Sequence, residues 1–204
     1  MSIETDIIFD HLGLINIGFA SIDHDEFKKA AELIWLTSIS NHRNNIYTIG
    51  NGASASIAQH WACDYTKGCK KGGVRPRVIS LSTNIPLMTA ISNDISYDDV
   101  YSFQLDALGQ EGDVLVAISS SGNSPNVVKA IETAKSLKIK TIALTGFSRD
   151  NKCAQLADIS LHVDIQEYEA TEDVHQAIMH MIAKYIRNKG KVQGRRWLLA
   201  LRSD

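Results

Sequence analysis

Val114-Leu115-Val116-Ala117-Ile118, running into Ser119-Ser120-Ser121-Gly122-Asn123-Ser124, is the stretch that decides the fold. Five apolar residues in succession, with no polar alternation, read as a strand buried on both faces, the signature of a parallel sheet covered by helices. The strand ends in a polar turn with four serines in six residues, and a helix is expected from about Pro125 to Leu137. The same order repeats upstream. Ile46–Ile49 reads as a strand, Gly50-Asn51-Gly52 as its end, and about Ser54–Thr66 as a helix.

Further outward, Val78–Leu81, Thr141–Leu144 and Ile159–Val163 supply three more strands. Ile85–Ser92 and Tyr97–Leu108 read as helices on either side of Asn93-Asp94, and Tyr168–Arg187 as a last long helix. Residues 1–44 are expected to be helical. Phe27, Ala30, Ala31, Ile34 and Trp35 recur at helical spacing, and Asp23 or Asp25 is placed to cap a helix start. Strands alternating with helices predict an α/β fold: five parallel strands in a three-layer, flavodoxin- or Rossmann-like domain with an N-terminal helical segment. The chain reads as one domain over 1–204, with helices over 1–44, a core over 45–187 and a basic tail over 188–204 that holds Trp197 and Leu198.

Composition bounds the function. The chain has 204 residues, a net charge of −2, 44% hydrophobic and 22% charged residues, ordinary for a globular domain. A nucleic-acid partner would call for a basic stripe, and Lys67–Lys71 and Arg195–Arg196 are too short for one. The three cysteines, Cys63, Cys69 and Cys153, form no CxxC pair and fit free thiols in a reducing compartment. There is no basic-then-apolar start and no run of 18 apolar residues, so the expectation is a cytoplasmic protein without a membrane partner.

In an open parallel sheet, ligands bind beyond the carboxyl ends of the strands near a topological switch point. Two turns there are unusual. Gly50-Asn51-Gly52-Ala53-Ser54 combines glycines that permit close ligand approach with a serine at a helix start, where free N–H groups and the helix dipole attract anions. Ser119–Ser124 offers hydroxyl donors without charge, again at a helix start. Serines and glycines are common in caps, so either turn alone decides little; two at equivalent strand ends decide more. Neither is a GxGxxG dinucleotide fingerprint or a P-loop. Neutral donors of this kind suit a small sugar phosphate.

The run Ile118–Asn126, preceded by Gly112-Asp113-Val114-Leu115, resembles the phosphate-binding signature of the SIS (sugar isomerase) domain family. Gly50–His60 is similar to the phosphoheptose isomerase branch of that family. So are Asn93-Asp94, Tyr101-Ser102, Leu105–Gly109, Leu144-Thr145-Gly146 and Ala157-Asp158. The resemblance covers roughly residues 45–186. It implies a ketose–aldose isomerase acting on sedoheptulose 7-phosphate for activated-heptose synthesis, assembled as a homotetramer with sites at subunit contacts. A non-catalytic SIS adaptor, resembling the protein that associates with the bacterial replication initiator, is the alternative.

Ketose–aldose interconversion moves a proton between adjacent carbons through an enediol, and so needs a base and an acid–base group. His60 and Asp64 share a helix face at i, i+4. Glu172 and His180 stand eight apart on the last helix, with His175 between them reading as structural. The resemblance maps the family's base onto Asp64 and its acid–base histidine onto His180. It also shows departures: Asp64 stands for a glutamate, Glu172 for a glutamine, and Gly68 for an arginine whose charge Lys67 or Lys70 is expected to replace. Some family members bind zinc through the four positions His60, Asp64, Glu172 and His180, and both departures leave carboxylates at ligand positions. The resemblance thus implies a Zn²⁺ or similar ion there. Ser54, Ser119, Ser121 and Ser124 are expected to hold phosphate. Asn51, Gly52, Asp94 and Ser120 are expected to meet sugar groups, with Glu169 and Glu172 nearby.

Overall fold

The computed structural model describes residues 3–200, and their side chains over 5–193. Two helices, α1 (Ile3–Ser21) and α2 (His24–Ile39), precede the core. Asp23 caps α2, accepting from the Asp25 and Glu26 N–H groups at 2.8 and 3.0 Å. The core runs β1 (Asn45–Gly50), α3 (Ala53–Cys63), β2 (Arg77–Ser80), α4 (Ile85–Asp94), α5 (Ser102–Leu108), β3 (Val114–Ser119), α6 (Pro125–Ser136), β4 (Lys140–Thr145), α7 (Lys152–Leu156), β5 (Ile159–His162) and α8 (Tyr168–Ala200).

The five strands form one parallel sheet in the order β2-β1-β3-β4-β5. Every residue of β3 is buried, as its unbroken apolar run requires. Val114, Val116 and Ile118 pack with α2, α3 and α8, while Leu115 and Ala117 pack with α4, α5, α6 and α7. Both sheet faces are therefore covered, which makes the three layers. Two carboxylates pin the strands at their starting ends. Buried Asp113 accepts from the Asn45 N–H at 2.7 Å and the Gln110 N–H at 3.0 Å, tying the start of β1 to the turn before β3. Asp158 accepts from the Thr141 N–H and hydroxyl at 2.9 and 2.8 Å, doing the same for β4 and β5.

The expected strands match to within a residue or two. Three expectations differ. Helix α4 continues through Asn93-Asp94, and a 3-10 turn, Tyr97–Asp99, precedes α5. The five-residue α7 was not expected, because one turn is too short to show periodicity. The last helix does not stop at Arg187 before a basic tail; α8 continues to Ala200. The side chains of Arg195, Arg196, Trp197 and Leu198 lie outside the described residues. Gly190, inside this longer helix, serves close packing. A Cβ there would overlap the carbonyl oxygen of Gly72, and one on Gly72 would come within 2.6 Å of the Arg187 oxygen. The two glycines let α8 lie backbone against backbone on the 3-10 turn Cys69–Gly72.

The three cysteines are free, and no helix among the described residues is long and apolar enough to cross a membrane. Replacing Gly190 by Ala should lower stability by about 1–3 kcal/mol, the usual cost of overpacking, despite alanine's better helix propensity. A denaturation midpoint equal to that of the parent would contradict the close approach.

Candidate active site

Strand order makes β1 and β3 neighbours whose onward connections diverge, β1 toward β2 and β3 toward β4. This is the switch point, and both unusual turns sit on it, because Gly50 pairs with Ile118 at the ends of the two strands. Asn51, Ser54, Ser119, Ser120, Ser121 and Ser124 line one cleft of about 120 Å³ there, joined by Tyr168 and Glu172 from α8. Helices α3 and α6 both begin at it, and no side chain caps either start. Ser119 Oγ lies 3.4 Å from Ser124 Oγ. Ser120 Oγ is buried without a hydrogen-bond partner. These are donors left for an anion.

The serine turn is rigid. Gly122 takes a φ of 64°, and Asn151 fills the space where its Cβ would be. The Cys153 N–H donates to the Gly122 oxygen at 2.9 Å, and the Gly146 N–H donates to the Ser120 oxygen at 2.8 Å. Asn51 is equally fixed. Its amide and that of buried Asn126 exchange two bonds of 2.9 Å, and its Oδ1 also accepts from the Tyr97 hydroxyl at 3.0 Å. Tyr101 donates to the Gly50 oxygen beside it.

A second cluster lies farther along α3 and α8. His60 Nε2 is 3.5 Å from Asp64 Oδ1, and His180 Nε2 is 3.7 Å from Asp64 Oδ2. The two imidazoles meet edge to face, centroids 5.1 Å apart. One ligand atom from each of the three residues falls within 4.8 Å of the others. Asp64 opens a π-helical turn, Asp64–Gly68, that continues α3 in place of the regular helix expected to Thr66. Such turns recur at functional sites.

The structure brings three of the four expected residues together. Glu172 is outside this cluster and lines the serine cleft instead; it stands about 12 Å from His180 along the helix. Its carboxyl is lifted above the usual range, by burial first and by Glu169 and Asp173 after that. Asp94 is exposed at the end of α4, accepting from Asn93 at 2.8 Å, and does not line the cleft; nor do exposed Gly52 and Glu169. Lys67 and Lys70 are exposed, and it is the Arg187 guanidinium that lies beside Gly68, 3.3 Å from where a Cβ would stand. Three contributors went unnoticed in the sequence: Tyr168, Asn126 and Gln176. Gln176 alone left a signal, one helical turn before His180.

His175 is fully buried, and burial pushes its imidazole down to about 4. It is therefore neutral near pH 7, and Nε2–H donates to the Thr145 oxygen at 3.2 Å. This is the structural histidine expected there. It anchors α8 on the end of β4.

A parallel sheet with an anion cleft of neutral donors at its switch point, beside a His-Asp-His cluster, defines a phosphosugar-binding domain. The comparisons agree. The SIS domain profile matches residues 18–146. A protein of Thermoplasma volcanium described as a probable phosphoheptose isomerase is 37% identical over 177 residues, 87% of this chain and 89% of that protein. One from Helicobacter pylori is 41% identical over 146 residues, 71% of this chain and 75% of that protein. The solved phosphoheptose isomerase of Neisseria gonorrhoeae superposes with a TM-score of 0.82 at 31% identity, over 92% of this chain and all of that one. The chain belongs to the SIS-domain family and, within it, to the phosphoheptose isomerases.

Ser124 makes no capping bond, so Ser124→Ala should leave stability nearly unchanged. Loss of a hydrogen bond to a charged group costs roughly 1.5–3 kcal/mol, so affinity for a sugar phosphate should fall by about 10- to 150-fold in calorimetry. Unaltered affinity would move the phosphate away from this turn.

Proposed function

We propose that this chain is a ketose–aldose isomerase that converts sedoheptulose 7-phosphate into a heptose 7-phosphate, feeding ADP- or GDP-heptose synthesis. The carrying observation is that two helices span both parts of the site. Ser54 on α3 and Glu172 on α8 face the cleft, while His60 and His180 stand about 9 and 12 Å farther along the same helices. A long open-chain sugar phosphate has that shape, with an anionic end for the serines and a carbonyl end for the acid–base groups. Ser119, Ser121 and Ser124 with Ser54 hold the phosphate; Ser120 and Asn51 face the carbon chain. Asp64 removes the proton from one carbon, and His180 carries protons to and from the adjacent oxygens. The retained imidazole–carboxylate cluster is what a purely adaptor role would not require.

The same cluster fits a divalent ion. Zinc–nitrogen and zinc–oxygen bonds of about 2.1 Å place tetrahedral ligand atoms roughly 3.4 Å apart. Here the His60 and His180 Nε2 atoms lie 3.5 and 3.7 Å from different oxygens of Asp64, and one ligand atom from each residue falls within 4.8 Å of the others, a somewhat wider set that a bound ion would draw together. His60, Asp64 and His180 would hold the ion, Zn²⁺ by the chemistry of the donor set. When bound, it would polarise the substrate's oxygens as a Lewis acid.

We also assign a homotetramer. Helix α1 leaves Ile8, Phe9 and Leu12 exposed by 59, 63 and 50%, and α2 leaves Leu36 exposed by 58%. Large apolar side chains left exposed on these helices call for cover. Light scattering at micromolar concentration should give about four chain masses; a monomer that turns over would contradict this assembly.

The activity is tested with sedoheptulose 7-phosphate and the protein purified without chelator. Turnover should be measurable, and Asp64→Asn should lower kcat by about 100-fold or more. Elemental analysis should find about one ion per chain, and EDTA should lower the melting temperature, since ligand binding to the folded state alone stabilises it. Phosphate-sugar binding without turnover would favour the adaptor. Turnover with no ion and an EDTA-insensitive melting temperature would leave Asp64 and His180 as a metal-free pair.

A further inference from the structure

The cleft takes Asn51 and its serines from the two turns, and Tyr168 and Glu172 from α8. A carboxylate accepts hydrogen bonds and cannot donate them, so charged Glu172 offers nothing to a phosphate oxygen. The Tyr168 hydroxyl is neutral and donates. The chain has six tyrosines. Five of their hydroxyls bond within the protein: Tyr47 to the Leu108 oxygen, Tyr65 to that of Met179, Tyr97 to Asn51, Tyr101 to the Gly50 oxygen and Tyr185 to Glu32. Among the described residues, the Tyr168 hydroxyl has no such partner. We infer that Tyr168 is a substrate-binding residue whose hydroxyl donates to the phosphate from the α8 side, and that Phe147 positions it. The inference rests on the reading of this cleft as the phosphate site.

Tyr168 opens α8 and is 55% exposed, so core packing does not fix its ring. Phe147 does. The two ring centroids are 4.8 Å apart with planes tilted by 54°, a separation in the attractive range for aromatic pairs. Phe147 itself stands at a φ of 56°, in the left-handed region that bulky residues avoid. A glycine would take that conformation freely; a phenylalanine there needs a reason, and the contact with Tyr168 supplies one.

The strained residue is held from both sides. The Phe147 N–H donates to the Ile165 oxygen at 2.9 Å, and the N–H of the preceding Gly146 donates to the Ser120 oxygen at 2.8 Å. One short segment therefore ties the serine turn to the chain entering α8 and sets an aromatic ring between them. Strained backbone persists where the surroundings over-determine it, and such residues gather at ligand clamps. The phosphate is remote from the carbons that react. A donor to it strengthens ground state and transition state alike, which lowers KM and leaves kcat alone.

The test uses the full-length chain, purified without chelator, and two probes, sedoheptulose 7-phosphate and inorganic phosphate. Tyr168→Phe removes the hydroxyl and keeps the ring. It should raise KM for the sugar phosphate about 10-fold, the loss of one hydrogen bond to a charged group. The competitive inhibition constant of inorganic phosphate should rise by the same factor. Turnover should stay within about twofold, and the melting curve should match the parent, since no protein contact is lost. Unchanged KM and inhibition constant would overturn the inference. A raised KM with an unchanged inhibition constant would also overturn it, by moving the hydroxyl to the sugar. Phe147→Gly suits the left-handed backbone and removes the ring. It should raise KM about 3- to 10-fold, the worth of an aromatic pair, and add nothing in a Tyr168→Ala chain. An equal loss in that chain would overturn the positioning role of Phe147. Binding of sedoheptulose 7-phosphate without turnover by the parent would overturn the isomerase reading alone, and calorimetry with the same two probes would then read the Tyr168 contact.

Discussion

The parallel pairing of β1 with β3 is the constraint on which the site depends. Register places Gly50 against Ile118, so the two strands release their chains at the same height and side by side. Because the connections then diverge, neither turn covers the other, and a crevice opens between them. Helices α3 and α6 start from that crevice with uncapped ends. The positive ends of two dipoles thus converge on one point without a charged side chain from either turn. Asp113, fixing the start of β1 against the turn before β3 from the far side of the sheet, secures the height on which this convergence depends.

Helix α8 makes a cleft into a reaction site. Its first turns bring Tyr168 and Glu172 to the serines, and its third and later turns bring Gln176 and His180 to His60 and Asp64. A helix that serves two places must be held against sliding and against rotation. His175 provides one restraint, a buried donor to the Thr145 oxygen at the end of β4. Gly72 and Gly190 provide another, by letting α8 press its backbone on the Cys69–Gly72 turn. Arg187 lies beside Gly68 at the same contact, its backbone against Gly72. The length of α8 is thus part of the site's construction, not an appendage to it.

The sheet was legible because its signals are local: apolar runs, and polar turns at regular intervals. The glycine and serine turns at the switch point were legible for the same reason, and so was the His60–Asp64 pair, since four residues on a helix put two side chains together whatever the tertiary structure. What could not be read is what depends on contact between elements. Asn126 matters because Asn51 comes back to it across the switch point. Gly190 matters because the backbone of Gly72 lies against it. Glu172 looked like a partner of His180, but spacing along a helix says nothing about which neighbour a long side chain will reach. Asp94, Gly52 and Glu169 lie near the site in sequence and outside the cleft in space.

The two acidic departures from the family pattern have different physical meanings. Asp64 is one methylene shorter than a glutamate, yet its two oxygens face His60 and His180 at 3.5 and 3.7 Å. The π-helical turn that begins at Asp64 changes the local geometry of the helix, and the carboxylate still addresses both imidazoles. Glu172 has no such partner. It brings a carboxyl to a cleft whose other groups are hydroxyls and helix ends, and burial with two neighbouring acids lifts its proton affinity. A sugar phosphate entering the cleft would raise that affinity further, because a second anion favours the neutral acid. The proton affinity of this carboxyl thus rises with its burial and with each anion beside it, whereas the family's neutral glutamine would carry no such coupling.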